Sequence, residues 1–303
     1  MIVHVVGNLC FDTTLTVPRF PEPGETLVAL ESRTGLGGKG INQAVAAARA
    51  GASVICHAAI GAADLEIVTR TLASEDRLTL SPTAFDMPSD TSIILVRPDG
   101  ENLIVSATAC ARALDALAGG PLAEVASPGD LVLMQGNLAP GPTFACLAGA
   151  RRRGARTMFN PSPMWPDASP DWNMIDWLVL NAGELMRLTR DPDPRRGAAR
   201  LLDRGVGAAA VTLGARGALL VTRDQCCSVS APPVVALDST GAGDVFCGVL
   251  AALLTSRVEP GEALARATAA ASFSVSRLGA LDGCPTAGDL ATLPPLAVNR
   301  SPP

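Results

Sequence analysis

The chain has 303 residues, 48% hydrophobic and 17% charged, enough apolar material for one large α/β core. Its formal charge of −5 argues against a nucleic-acid binder, and no run of 18 or more apolar residues is present to cross a membrane. The eight cysteines are scattered with no C-x-x-C pair and only two histidines, His4 and His57, so a structural zinc site is not expected; with no leader at the start, the chain reads as a reduced, cytoplasmic protein.

In chain order, Ile2–Val6 reads as the first buried strand. Residues 10–35 hold Phe11–Val17, a proline-rich turn and Thr26–Glu31, with no helix between them. Ile41–Ala50 has helical spacing and Val54–Ala59 is again strand-like. Thr91–Val96 and Asn102–Ser106 predict a hairpin around Pro98-Asp99-Gly100. Further strands are expected at Leu131–Met134, Thr157–Asn160, Trp177–Leu180, Ala209–Leu213 and Ala218–Thr222. Helices are expected at Thr143–Arg153, Gly197–Arg204, Val245–Leu254 and Glu262–Leu278. Arg151-Arg152-Arg153 suits a solvated helix C-terminus, where cations meet the negative end of the dipole. The proline-rich stretch 285–303 reads as a loose tail, and there are no internal repeats.

This alternation predicts a three-layer α/β/α domain over residues 1–303, with a mainly parallel central sheet. The two segments that break the rhythm, about 10–35 and 91–106, are expected to form a small β-sheet lid. A lid over strand ends is what a phosphoryl-transfer site needs to exclude water.

Two motifs carry chemistry. Asp238-Ser-Thr-Gly-Ala-Gly-Asp244 precedes an Ala/Leu helix. Small residues there let successive N–H groups converge on an anion at a helix N-terminus. A carboxylate at Asp244 would then stand beside the transferred phosphate, placed to accept the proton of an attacking hydroxyl. Asp near a helix start is also a common cap, but a cap needs no glycine pair. The second motif is Gly35-Leu-Gly-Gly-Lys-Gly40. It contains G-x-G-x-x-G, yet it lies some thirty residues after the first core strand. It also lacks the Walker A residues, with Arg33 and Gly40 where Gly and Ser or Thr belong. It reads instead as a close-approach loop presenting N–H groups, Lys39 and Asn42 to a polyhydroxylated ligand. Lys39 is the only lysine in the chain, at a position that favours a compact ammonium over a planar fork.

From end to end the chain resembles the ribokinase-like carbohydrate kinases of the PfkB superfamily. Gly37-Gly-Lys-Gly-Ile-Asn-Gln-Ala44 is similar to the N-terminal signature of that family, and Asp238–Asp244 to the C-terminal one. Gly100–Ile104, Asn160–Pro163, Asn181-Ala-Gly-Glu184 and Val211–Gly217 follow its weaker motifs in order. The resemblance implies an ATP-dependent kinase acting on a sugar hydroxyl, ribose or a related small sugar, with Asp244 as base. Gly241 and the N–H groups of Ala242 and Gly243 would form the anion hole. Asp12, Gly38, Lys39 and Asn42 would hold the sugar, with Asn137 at the position of a sugar-facing residue. Asn181 and Glu184 would organise Mg²⁺ through water, and Thr212, Gly214 and Gly217 would line the ATP site. Asp238 would ligate K⁺. A homodimer through the lid is a further implication, since it would cover edge strands.

Several positions depart from the family pattern. Cys10 replaces the asparagine of N-x-D, Asn137 a glutamate, Thr108-Ala109-Cys110 the usual G-A-N, and Gly283 a serine near the cation. Gly61–Glu66 is a decayed G-D-D-x-x-G. These changes predict an altered acceptor, not an altered reaction. A sugar-phosphate acceptor would call for extra cations near the lid, with Arg33 and Arg97 as candidates. A nucleoside acceptor is disfavoured by an aromatic content of 3%. A non-catalytic sugar- or nucleotide-binding protein and an NAD-dependent enzyme are the remaining alternatives.

Overall fold

The structure, a computed structural model, describes residues 1–114, 126–165 and 168–302. Its elements run β1 (Ile2–Gly7), β2 (Cys10–Thr16), β3 (Glu31–Gly37), α1 (Lys39–Arg49), β4 (Ser53–Gly61), α2 (Leu65–Leu72) and β5 (Leu78–Phe85). They continue through β6 (Asp90–Val96), β7 (Asn102–Ala107), α3 (Ala109–Ala113), β8 (Leu131–Gln135), α4 (Pro140–Arg152), β9 (Arg156–Asn160), β10 (Trp177–Asn181), α5 (Ala182–Thr189) and α6 (Pro194–Asp203). The remainder is β11 (Ala208–Thr212), β12 (Ala218–Thr222), β13 (Cys226–Val229), α7 (Ala242–Thr255), α8 (Pro260–Ser274), α9 (Ala287–Thr292) and β14 (Asn299–Ser301).

Ten strands form the main sheet in the order β14-β13-β12-β11-β10-β9-β8-β1-β4-β5. It is parallel from β5 to β11 and antiparallel from β11 to the β14 edge. Valine, leucine and alanine on successive strand residues are buried on both sides, as a sheet sandwiched between helices requires. Val3, Val5, Leu131, Leu133 and Ala210 face α1, α7 and α8. Val6, Val132, Met134, Leu180 and Val211 face α3, α4, α5 and α6. Each fully buried valine or leucine contributes about 1.5–3 kcal/mol. Several helices start on caps written in the sequence. Asn181 and Glu184 form a capping box on α5, Thr286 and Asp289 another on α9, and the Asp193 carboxylate caps α6.

The lid is a four-stranded sheet in the order β3-β2-β6-β7. Alternation divides its two faces. Asp12, Ser92, Ile94 and Ser106 face the cavity against the core. Thr13, Ile93 and Val105 pair side by side on the opposite face.

Three expectations are corrected. The second lid strand is Glu31–Gly37, not Thr26–Glu31: pairing with β2 runs from Thr16↔Glu31 to Cys10↔Gly37 and places α1 directly after it. The last long helix ends at Ser274 rather than Leu278, where Ser276 and Arg277 turn back onto Phe273 and Ser274. The stretch after 285 is not a loose tail. It carries α9 and then β14, which pairs with Cys226–Ser228 and extends the sheet.

Candidate active site

The two signature segments meet. α7 begins at Ala242 behind Gly241, whose φ of 80° suits glycine and whose Cβ would come within 2.8 Å of Ala280. Asp244 sits in the first turn of α7 and is only 4% exposed. α1 begins at Lys39, behind Gly38 at φ 103°. Its first turn presents three donors to the Asp244 carboxylate. Gln43 Nε2 donates to Oδ1 at 3.0 Å, Lys39 Nζ to Oδ1 at 3.4 Å, and Asn42 Nδ2 to Oδ2 at 3.2 Å. The Asp244 charge in turn raises the pKa of Lys39 above its ordinary value, so the ammonium stays protonated.

Asp244 forms part of the floor of a cavity of about 950 Å³ between lid and core. Asp12, Gly38, Lys39, Asn42 and Asn137 all line it. The Oδ1 atoms of Asn42 and Asn137 are buried with no hydrogen-bond partner among the described residues. Two such acceptors on a cavity wall call for hydroxyl donors from a ligand. Burial raises the Asp12 carboxyl above its usual range, with the Asp244 charge adding to it. Cys10, at the altered lid position, keeps its sulfur on Asp12: Sγ donates to Oδ1 at 3.1 Å. Burial first, then the Asp12 charge, push that thiol up, so it stays a neutral donor.

A second, smaller cavity lies on the far side of Lys39, lined by Asn160, Asn181, Glu184, Thr212, Gly243 and Cys247. Asn181 and Thr212 are register partners at the ends of β10 and β11. The turn after them holds Gly214 at φ 60° and Gly217 at φ 95°. A Cβ at Gly214 would meet nothing within 4 Å, leaving backbone open to a ligand. Asn181 and Glu184 are first of all each other's caps, with Glu184 Oε2 accepting from Asn181 N at 2.8 Å. Oε1 of Glu184 accepts no hydrogen bond among the described residues.

The anion-hole expectation divides. The N–H of Ala242 donates to Ser239 O at 3.3 Å, whereas that of Gly243 has no partner among the described residues. Asp238 acts as a staple: Oδ1 accepts from Thr240 N at 2.9 Å and Oδ2 from Gly279 N at 2.8 Å. Gly283 is there because a Cβ would overlap the Gly279 carbonyl.

Some site residues escaped the sequence reading. Gln43 stood inside a quoted motif, but its contact with Asp244 needs α7. Trp165 lines the larger cavity and stacks on Phe159, so the low aromatic content did not exclude an aromatic wall. Arg33 and Arg97 do not line that cavity. Arg97 pairs with Asp99 and Glu101 on the hairpin turn. Arg112 lines it instead, delivered by α3.

Comparison with known proteins agrees with this geometry. The family model described as pfkB family carbohydrate kinase matches residues 3–287. A ribokinase from Mus musculus is 31% identical over 300 residues, covering 95% of this chain and 93% of the relative. The crystal structure of a ribokinase from Thermotoga maritima superposes with a TM-score of 0.85 at 30% identity, covering 96% of this chain and 98% of that one. The Arabidopsis thaliana ribokinase complexed with ribose and ATP gives 0.82 at 25% identity, covering 96% and 97%.

Proposed function

The chain belongs to the pfkB family of carbohydrate kinases, and we propose that it phosphorylates a sugar hydroxyl from ATP with Asp244 as general base. The observation that carries this is the buried Asp244 carboxylate, held by three donors from one helix turn between the lid cavity and the smaller one. In this reading the acceptor sugar lies under the lid against Asp12, Gly38, Asn42 and Asn137. Its reacting O–H gives its proton to Asp244 while the oxygen attacks the γ-phosphorus in line. The bond to the β-phosphate oxygen breaks and ADP leaves with the electron pair. Lys39 lines both cavities and neutralises charge between them; Gly241 and Gly243 give the transferred phosphate a close-approach loop and a free N–H.

ATP would occupy the side marked by Asn181, Thr212, Gly214 and Gly217. The open oxygen of Glu184 fits a hard cation held through water, and Mg²⁺ there would supply charge neutralisation for the phosphates. A monovalent cation beside Asp238 belongs to the same reading in a supporting role, since the staple to Gly279 already shapes the loop. The outward lid face, with Ile93, Leu103 and Val105 each at least 44% exposed, suits a second copy of this chain. No helix among the described residues is long and apolar enough to cross a membrane. Eight free, buried cysteines suit a reducing compartment.

The test is an ADP-release assay over free sugars, sugar phosphates and nucleosides with Mg²⁺, with and without K⁺. Asp244→Asn is expected to lower turnover by roughly 10²–10⁴; a loss below tenfold would remove Asp244 from the base role.

One observation favours a second reading of the acceptor. Arg112 lines the larger cavity, and no acid forms an ion pair with it among the described residues. The nearby Asp90 carboxylate is engaged by the N–H groups of Cys110 and Ala111. That guanidinium interacts with the Asp90 charge without forming an ion pair among the described residues, and on that wall it suits an acceptor carrying an anionic group, such as a sugar phosphate. Arg112→Ala would then raise KM for the anionic acceptor and leave neutral sugars unaffected; equal effects on both would exclude it.

A further inference from the structure

Behind Asp244 lies a chain of buried amides, none of which lines the larger cavity. Gln43 and Gln135 are fully buried, and Asn160 is 7% exposed. Gln135, at the end of β8, donates from Nε2 to Gln43 Oε1 at 2.8 Å. Gln43 Nε2 donates to Asp244 Oδ1 at 3.0 Å and to Asn160 Oδ1 at 3.3 Å. Asn160, the register partner of Gln135 across β8 and β9, donates from Nδ2 to Val179 O at 2.9 Å.

Each link fixes the next. The Val179 carbonyl turns Asn160 so that its oxygen faces Gln43, and the Gln135 N–H holds the Gln43 oxygen on the other side. Flipping the Gln43 amide would set its oxygen against two acceptors, Asp244 Oδ1 and Asn160 Oδ1, and set its N–H groups against a donor. Both amide hydrogens of Gln43 are therefore committed, one of them to the carboxylate.

We infer that Gln43, locked by Gln135, is a positioning residue that holds Asp244 Oδ1 and leaves Oδ2 as the oxygen that takes the acceptor's proton. Among the described residues Oδ1 has two donors, Gln43 and Lys39, and Oδ2 has only Asn42, which lines the acceptor cavity. A proton adds more readily to the oxygen held by fewer donors, and that is Oδ2, whose donor Asn42 lines the acceptor cavity. The amide is also neutral, so its hold on Oδ1 persists whether Asp244 is charged or protonated.

Packing alone does not account for this arrangement. Gln135 Oε1 is buried against Gly7 with no hydrogen-bond partner among the described residues. An orphaned buried carbonyl costs stability that methionine or leucine at 135 would avoid. What the glutamine adds is the fixed orientation of its neighbour.

The inference rests on the kinase reading, so the experiment begins with wild-type enzyme and its phosphorylated product. No ATP-dependent product from wild type would overturn the reading and the inference together. With turnover established, Gln43→Met is expected to lower kcat about 10- to 100-fold while KM for ATP and acceptor stay within about threefold. The acid limb of kcat is expected to move to higher pH, because the carboxylate loses a donor that favours its charged form. Gln135→Met, two hydrogen bonds removed from Asp244, is expected to shift the limb in the same direction by less. A folded Gln43→Met variant with kcat within twofold and an unmoved limb overturns the inference. If Gln43→Met fails to fold, the same lack of effect in Gln135→Met overturns it.

Discussion

Gly248 on α7 lies against the backbone of Gln43 on α1: a Cβ at 248 would overlap the Gln43 carbonyl oxygen and come within 2.7 Å of Ala46 Cβ and 2.9 Å of Ala47 N. This missing side chain lets the two helices pack closely enough for three residues of one to reach a carboxylate of the other.

Gly248→Ala is therefore expected to destabilise, although alanine favours a helix by about 1 kcal/mol. Overpacking against backbone costs about 1–3 kcal/mol, which outweighs that gain. Denaturant unfolding should show the loss, and turnover should fall with it as Asp244 moves from its donors. Unchanged stability would mean that the helices slide apart freely.

Asp12 gives a pH prediction. Burial disfavours its charged form, so its pKa lies above the usual aspartate value. If Asp12 holds the acceptor through its carboxylate, as proposed, KM for the sugar should rise as pH falls, beginning above the range of an ordinary aspartate. Asp12→Asn should raise that KM about 10- to 100-fold and flatten the trend. With a raised folded value, ionised Asp12 costs stability at neutral pH, so the same variant should unfold no more easily at pH 7. A variant that loses stability along with affinity would contradict this.

The two histidines give a stability prediction. His4 Nδ1 and His57 Nε2 lie 3.3 Å apart between β1 and β4, and His4 Nε2 lies 3.5 Å from Asp130 Oδ2. Burial, then the neighbouring His4, lower His57 to about 4. The folded state thus binds the proton less readily than the unfolded chain. Stability should be full above about pH 6.5 and decline as pH falls toward about 4, by on the order of 3 kcal/mol. Urea unfolding of wild type and His57→Gln at pH 7.5 and 5 checks it, and equal slopes in the two proteins would refute it.

The outward lid face yields the fourth. Val105 is 64% exposed and pairs with Ile93, itself 50% exposed. Val105→Asp should convert a dimer to a monomer in sedimentation, since a carboxylate in an apolar contact leaves an unpaired buried charge. A monomeric wild-type protein would sink the lid-to-lid arrangement.

Much of the frame was legible because it rests on local periodicity. The valine- and leucine-rich runs of β1, β8, β10, β11 and β12 gave their positions almost to the residue. Asp244, Lys39 and Asn42 were legible because each lies inside a glycine-bounded motif at a helix start. β3 was misplaced because Thr26–Glu31 has the stronger strand propensity. Tertiary pairing won: Gly37 must lie beside Asp12, where a Cβ would overlap the carboxylate. Arg112, Trp165 and the Gln43–Gln135 pair were not legible. Their roles depend on which loop or strand end arrives at the cavity, and no local pattern encodes that. In the tail the prolines hid the Thr286–Asp289 cap, which starts a short helix even with prolines close behind it.

One of the chain's passages from core to lid is only two residues long, and one of them ties both together. β1 ends at Gly7 and β2 begins at Cys10. Between them, Asn8 accepts the N–H of Gly40 at 3.3 Å on its side chain and that of Ile41 at 3.2 Å on its carbonyl. This crossing is thus also an anchor of the helix whose first residues hold Asp244. On the kinase reading, a shift of the lid at this crossing would reach the Asp244 carboxylate through the first residues of α1.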